Sequence, residues 1–139
     1  MKDATTTAST AVSSDVLGIQ KIYERIKTVD TQAKEVAMKL IEYRERTGND
    51  FEWNMQTRVE QFADPKLAEL LSRAGCSAAY FGIENFDPRM LKVLNKAHNE
   101  GRYLQITSKA IQNCLANGIQ PHIDFQVGIP GEDSETERI

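Results

Sequence analysis

The chain has 139 residues, which is enough for one domain with a hydrophobic core. Its formal charge of −3 at pH 7 argues against a general nucleic-acid or anionic-membrane surface. Its apolar runs are far shorter than the roughly 20 residues that span a bilayer, so a membrane-spanning protein is not expected.

The first 14 residues are mostly small and polar and lack the apolar core of a secretory signal. We predict a disordered tail over residues 1–14 and one domain over residues 15–139. A gene break, rather than a natural terminus, is the alternative origin of this tail. Two unpaired cysteines, Cys76 and Cys114, fit the reducing environment of the cytoplasm.

Two helices in succession are predicted after the tail. From Asp15 to Ile26 the apolar residues recur at spacings of three and four, which is typical of an amphipathic helix. Asp30 is then suited to cap a second helix that ends at Gly48.

Strand and helix patterns alternate through the rest of the chain. Pro residues directly after Asp64 and Asp87 indicate two helix starts, and glycine indicates helix ends. The predicted elements are strand 51–59, helix 65–74, strand 77–84, helix 88–96, helix 103–117, strand 120–128 and the first turn of a helix at 134–139. This order predicts an α/β fold with about three parallel strands joined by crossover helices.

The strands themselves alternate between polar and apolar residues. We expect the apolar side, including Ile123, Phe125 and Val127, to face the helices. The polar sides would then converge on one concave surface, although a sheet with one face in water would show the same pattern. The polar residues are Glu52, Asn54, Gln56, Arg58, Glu84, His122, Asp124 and Gln126.

Two phrases in this pattern resemble the radical S-adenosylmethionine (SAM) enzymes: YFGIEN at residues 80–85 and FQVGIPGE at residues 125–132. In that family the fourth barrel strand often ends like FGIES and the fifth like GLPGE. Further matches are NMQTR (54–58), KLAELLSRAG (66–75) and LKVLNK (91–96). The resemblance implies a partial, TIM-like β/α barrel fragment that binds SAM.

The resemblance also implies roles for individual residues. The acid matching Glu84 contacts SAM in the family, and Asn85 stands where the family often has serine. Arg58 would neutralise either Glu84, within about 4 Å or through one bridging water, or the SAM carboxylate. The cofactor-binding candidates are Gln56, Arg58, Glu84, Asn85, Val127, Gly128 and Ile129, with Val127 and Ile129 packing on the adenine. The substrate-facing candidates are Asn54, His122, Asp124 and Gln126.

Radical SAM enzymes hold a [4Fe-4S] cluster with three cysteines in the spacing CxxxCxxC, and this spacing is absent here. The pair His122 and Asp124 is too small a set to favour another metal site. We therefore predict a fragment of a radical SAM core that is inactive alone, binds SAM weakly or not at all, and acts with a missing N-terminal half of the barrel. The alternatives are a non-catalytic SAM- or nucleoside-binding module and a truncated gene product.

Overall fold

Three parallel strands form one sheet in the order β1–β2–β3. They are β1 (Trp53–Thr57), β2 (Cys76–Glu84) and β3 (Gln120–Phe125). The computed structural model describes the backbone of residues 14–138 and the side chains of residues 31–138. The predicted α/β class, with three parallel strands and crossover helices, is confirmed.

Helical segments precede the sheet and connect its strands. They are α1 (Ser14–Thr47), α2 (Val59–Phe62), α3 (Pro65–Arg73), α4 (Pro88–Val93), α5 (Glu100–Ala116) and a 3-10 turn (Thr136–Arg138). Two compact units divide the chain, 1–33 and 34–139, and the whole sheet lies in the second. Among the helices that the structure describes, none has both the length and the apolar composition to cross a membrane.

The prediction of two successive helices before the first strand was wrong. The backbone is helical without interruption from Ser14 to Thr47, including the expected break at Asp30. The sequence between Ile26 and Asp30 has no glycine or proline, and its β-branched Thr28 and Val29 lower helix propensity only by tenths of a kcal/mol. The predicted disordered tail lies outside the described residues, apart from Ser14.

Aspartate side chains cap helices α3 and α4 and explain where they begin. The Asp64 carboxylate accepts the Lys66 N–H at 2.9 Å, and the Asp87 carboxylate accepts the Arg89 N–H at 2.8 Å. Each aspartate precedes a proline at the first helical position, whose missing N–H costs nothing there. Helix α5 begins three residues earlier than predicted because the Asn99 side chain caps it through the Arg102 N–H.

The core lies between the sheet and the helices on one of its faces. Ala79, Phe81 and Ile83 of β2 point to that side and are fully buried. Phe81 meets Phe62 of α2 edge to face, with ring centroids 5.4 Å apart. Truncation of Phe81 to Ala should lower the free energy of unfolding by about 3–5 kcal/mol, because it would leave a cavity in the core where the fully buried ring now packs.

The apolar side of β3 departs from the prediction. Ile123, Phe125 and Val127 were expected to pack under helices, yet they are 36%, 51% and 87% exposed. β3 lies at one edge of the sheet, and regular pairing ends at Phe125. The alternating pattern therefore identified the strand correctly, but the prediction that helices cover its last apolar residues was wrong.

Candidate functional site

An open cleft of about 580 Å³ lies where β1 and β2 end. The carboxyl ends of parallel strands are the usual position of sites in β/α folds, and the volume is typical of small-molecule sites. Its lining mixes both signs of charge with amides and a phenol. The lining residues are Gln56, Thr57, Arg58, Val59, Glu60, Gly82, Glu84, Leu94, Asn95, Lys96 and Tyr103.

Strand register sets which side chains share the sheet face away from the core. Gln56, Tyr80 and His122 are paired across the three strands and form one row. The rings of Tyr80 and His122 stack, with centroids 4.4 Å apart and planes 10° from parallel. Gly82 and Asp124 form the next row toward the strand ends. This face therefore carries polar groups that lead to the cleft.

Glu84 ends β2 in an unusual backbone conformation, with φ of 74°. A non-glycine residue in this left-handed region is strained, and such strain persists only where surrounding contacts impose it. One such contact is the hydrogen bond that the Gln126 N–H donates to the Glu84 carbonyl at 2.8 Å. The backbone thus bends where the carboxylate enters the cleft.

The Glu84 carboxylate lies against the sheet beside a lysine. Its Oε1 is 3.5 Å from Lys96 Nζ, and the two side chains are 21% and 30% exposed. A Cβ at Gly82 would stand 2.9 Å from that same oxygen and 3.7 Å from Nζ. Glycine at position 82 therefore leaves the space in which the two charged groups meet.

Arg58 and Glu84 both line the cleft, but the predicted direct contact between them is not formed. Arg58 instead donates to Glu60, from Nη2 at 2.9 Å and from Nε at 3.3 Å. Arg58 is the N-cap residue of α2, a one-turn helix that the sequence analysis extended as strand, and Glu60 lies in its first turn. The Arg58 guanidinium therefore pairs with Glu60, the carboxylate that is nearer in sequence.

A clasp built on Glu132 joins the ends of β2 and β3. The Glu132 carboxylate accepts the Gly128 N–H at 2.6 Å and the Asn85 side-chain amide at 3.4 Å. Asn85 is 3% exposed, and its side-chain oxygen accepts the Asp87 N–H at 2.8 Å. Both ends of the Asn85 amide are thus engaged, the oxygen with the Asp87 backbone and the nitrogen with the Glu132 side chain.

A second network fixes the segment that follows the clasp. The Arg89 guanidinium donates to Asp87, which is 1% exposed, and to Asp133, with Nη–O distances of 2.7 to 3.1 Å. The Thr136 hydroxyl also donates to Asp87 at 2.9 Å. Hydrogen bonds from Arg89 are the main cause that lowers the pKa of both aspartates.

The two cysteines do not resemble cluster ligands. Burial raises the pKa of Cys76 to about 11 and that of Cys114 to about 12, so both are neutral thiols at physiological pH. Within residues 31–138, no three His, Cys, Asp or Glu side chains are grouped as metal ligands. A [4Fe-4S] cluster, which needs thiolates, does not fit the described part of the chain.

The structure brings together only some of the predicted cofactor-binding residues. Gln56, Arg58 and Glu84 line the cleft, whereas Asn85 and Gly128 are bonded in the clasp. The two adenine-packing candidates also differ, because Val127 is exposed and Ile129 is buried. Of the substrate-facing candidates, His122 and Asp124 follow the open face, Asn54 is exposed on β1, and Gln126 lies beyond the end of β3.

The sequence analysis missed Lys96, Tyr103 and Glu132 as site or supporting residues. Lys96 belongs to the phrase LKVLNK, which the sequence analysis used only as a match to the family. Asn95, directly before Lys96, was the available signal of a helix end, because Asn is favoured at the left-handed position that ends a helix. Tyr103, whose hydroxyl donates to the Gly82 carbonyl at 3.5 Å, gave no such signal.

Comparison with known proteins supports the fold and identifies the family. The family model of the radical SAM superfamily matches residues 18–139. An uncharacterized methyltransferase, PH0819, of Pyrococcus horikoshii is 32% identical over 63% of this chain and 18% of its own length. The tryptophan 2-C-methyltransferase of Streptomyces laurentii is 34% identical over 54% of this chain and 13% of its own length.

Two further relatives extend the same pattern. The bacteriochlorophyllide d C-12(1)-methyltransferase of Chlorobaculum tepidum is 34% identical over 62% of this chain and 18% of its own length. The solved structure of the radical SAM methyltransferase TsrM from Kitasatospora setae, with cobalamin and a [4Fe-4S] cluster bound, aligns with a TM-score of 0.64. It is 23% identical, and the alignment covers 76% of this chain and 21% of that one, so it supports the fold.

The chain belongs to the radical SAM superfamily, and it is homologous to radical SAM methyltransferases. It spans about a fifth or less of the length of these relatives. The family uses SAM and a [4Fe-4S] cluster, so the cleft at the strand ends is the part of the described structure to compare with a SAM site.

Proposed function

We propose that this chain supplies the nucleoside-binding part of a radical SAM methyltransferase core. The supporting observation is the cleft at the ends of β1 and β2, where Glu84 stands in a strained backbone conformation beside Lys96. A carboxylate has about four acceptor positions, which suits it to the two donors of a ribose diol. Glu84 is therefore the residue that accepts hydrogen bonds from the ribose.

The other cleft residues have supporting roles in this proposal. Gln56 and Asn95 offer amide groups that can both donate and accept, and Tyr103 offers an apolar ring wall. Val127, which is exposed in the turn held by the Glu132 clasp, remains a candidate for packing on the adenine. Asn54, His122, Asp124 and Gln126 remain candidates for contact with the substrate.

The cluster supplies the electron that cleaves SAM to a 5′-deoxyadenosyl radical in this family, and it has to come from outside the described residues. The chain alone would then bind nucleoside without cleaving SAM, and an N-terminal barrel half would be its partner. Homology to methyltransferases makes methyl transfer the reaction to which this part contributes. The free thiols of Cys76 and Cys114 fit the reducing environment of the cytoplasm, which we propose as the location of the protein.

Calorimetric titration with SAM tests the proposal. We expect a Kd of roughly 0.1 to 1 mM, which corresponds to about −5.5 to −4 kcal/mol. Glu84→Gln should cost about 1.5–3 kcal/mol, because it removes a charge-assisted hydrogen bond while keeping the side chain's shape. Binding would then fall below detection.

The control for this titration is Glu69→Gln, which removes the same charge from an exposed position on α3. Its SAM affinity should equal that of the wild type. Absence of binding by the wild type would refute the proposal.

A further inference from the structure

Lys96 is held in place by the way helix α4 ends. The Lys96 N–H bonds to the Leu91 carbonyl at 2.9 Å, and the Asn95 N–H bonds to the Lys92 carbonyl at 3.0 Å. Asn95 between them is left-handed, with φ of 49°. These two bonds and one left-handed residue are the Schellman motif that terminates many helices. The backbone of Lys96 is therefore fixed rather than part of a loose loop.

The side chain of Lys96 extends from that fixed backbone to the end of β2. Its ammonium lies 3.5 Å from Glu84 Oε1, longer than the 2.7–2.9 Å of a charge-assisted hydrogen bond. The contact is thus an ion pair that leaves carboxylate lone pairs free for a ligand. Gly82 below leaves no side chain in the way.

Arg58 does not serve Glu84 in the same manner, although it lines the same cleft. Its guanidinium makes two contacts with Glu60 and is 75% exposed at the side chain. Lys96 is consequently the cation that forms an ion pair with Glu84 in the described structure. Without it, rotation about the side-chain torsions would release the carboxylate from its place over Gly82.

We infer that Lys96 is a positioning residue that holds the Glu84 carboxylate over Gly82 in the orientation that receives a ribose diol. The inference rests on the proposed function and adds a determinant of sugar specificity to it. The ligand class is a nucleoside with both the 2′ and the 3′ hydroxyl. The Schellman motif of α4 sets this specificity, because it places Lys96 at the cleft.

Adenosine and 2′-deoxyadenosine provide the test, since neither carries a charge that Lys96 could bind directly. We would measure both dissociation constants by NMR titration of the full chain. The wild type should prefer adenosine by about fivefold or more. Lys96→Met and Lys96→Gln should reduce this preference to less than about twofold, and Lys96→Arg should restore most of it.

Lys92→Met is the matched control, because it removes an exposed lysine from α4, four residues before Lys96, and should keep the wild-type preference. Folding of each variant is checked by its amide spectrum. An unchanged preference in both Lys96→Met and Lys96→Gln would overturn the positioning role while the proposed function stands. Equal binding of the two nucleosides by the wild type would overturn the role of Glu84 and this inference together. Binding of neither nucleoside would refute the proposed function as well.

Discussion

Lys96 Nζ and Glu84 Oε1 lie 3.5 Å apart over a glycine, at the edge of the cleft that the ends of β1 and β2 form. The two residues come from the termini of different elements, one after α4 and one at the end of β2. Each follows a feature of its own backbone, a Schellman motif for Lys96 and a left-handed conformation for Glu84. The geometry of the site therefore depends on how β2 and α4 end as much as on the pairing of the strands.

Gly82→Ala should impair nucleoside binding without unfolding the protein. The added Cβ would lie 2.9 Å from Glu84 Oε1, and a flexible side chain can move away from it at low cost. We expect SAM affinity to fall by about tenfold with a nearly unchanged thermal midpoint. Gly101→Ala is the control, since its Cβ would meet only ordinary contacts in α5. Wild-type affinity in Gly82→Ala would show that the carboxylate does not need its observed place.

Glu132→Gln should loosen the turn that follows β3. The wild-type carboxylate accepts hydrogen bonds at both oxygens, from Gly128 and Asn85, whereas an amide keeps only one acceptor. Amide hydrogen exchange at Gly128 should accelerate by about tenfold or more, because its hydrogen bond is lost or shared. Exchange at Ala79, in the middle of β2, is the internal control and should not change. Equal protection of Gly128 in both proteins would contradict the clasp.

Arg89→Met should destabilise the fold in a pH-dependent way. Arg89 lowers the pKa of Asp133 and of Asp87, so its stabilisation is fully present above the pKa of an unfolded aspartate, about 3.9. That stabilisation is lost as pH falls through the lowered folded pKa values. The thermal midpoint of Arg89→Met should therefore be lower at pH 7, and the gap to wild type should narrow below about pH 4.

Arg102→Met, at an exposed position of α5, is the control for this titration. Its midpoint should follow that of the wild type at every pH. A gap for Arg89→Met that stays constant from pH 7 to pH 2 would show that the aspartates are not the partners that matter.

Reconstitution with iron and sulfide should give no stoichiometric four-iron cluster on this chain. Burial raises the pKa of Cys76 to about 11 and of Cys114 to about 12, so neither offers a thiolate at neutral pH. Iron and sulfide per chain are measured after desalting, and SAM cleavage is assayed with a reductant. The denatured chain, in which both thiols should react with a disulfide reagent, is the control for thiol integrity. Formation of 5′-deoxyadenosine by the chain alone would contradict the account.

Much of the fold could be predicted because its signals are local. Aspartate followed by proline marked the starts of α3 and α4, and the phrases FGIEN and GIPGE marked the ends of two strands. The long helix α1 was divided in error, since Asp30 looked like a cap while nothing in the sequence stopped the helix before it.

The site was harder to predict because its contacts depend on competition among nearby partners. Alternation placed Arg58 and Glu84 near one cleft, but Arg58 pairs with Glu60, which is two residues away in the first turn of α2. Asn85 was assigned to the cofactor from its place in a motif, and in the structure it is buried and accepts the Asp87 N–H. Which of several polar groups meet is decided by tertiary geometry, which a residue pattern does not contain.

Chemical-shift mapping of SAM on the isotopically labelled chain tests the central claim most directly, since it asks where a nucleoside binds. The account predicts saturable shifts at the amides of Gly82, Glu84 and Lys96, and none in the groove between α1 and α3 around Met38 and Leu70. Shifts confined to that groove, or no shifts at millimolar SAM, would contradict it.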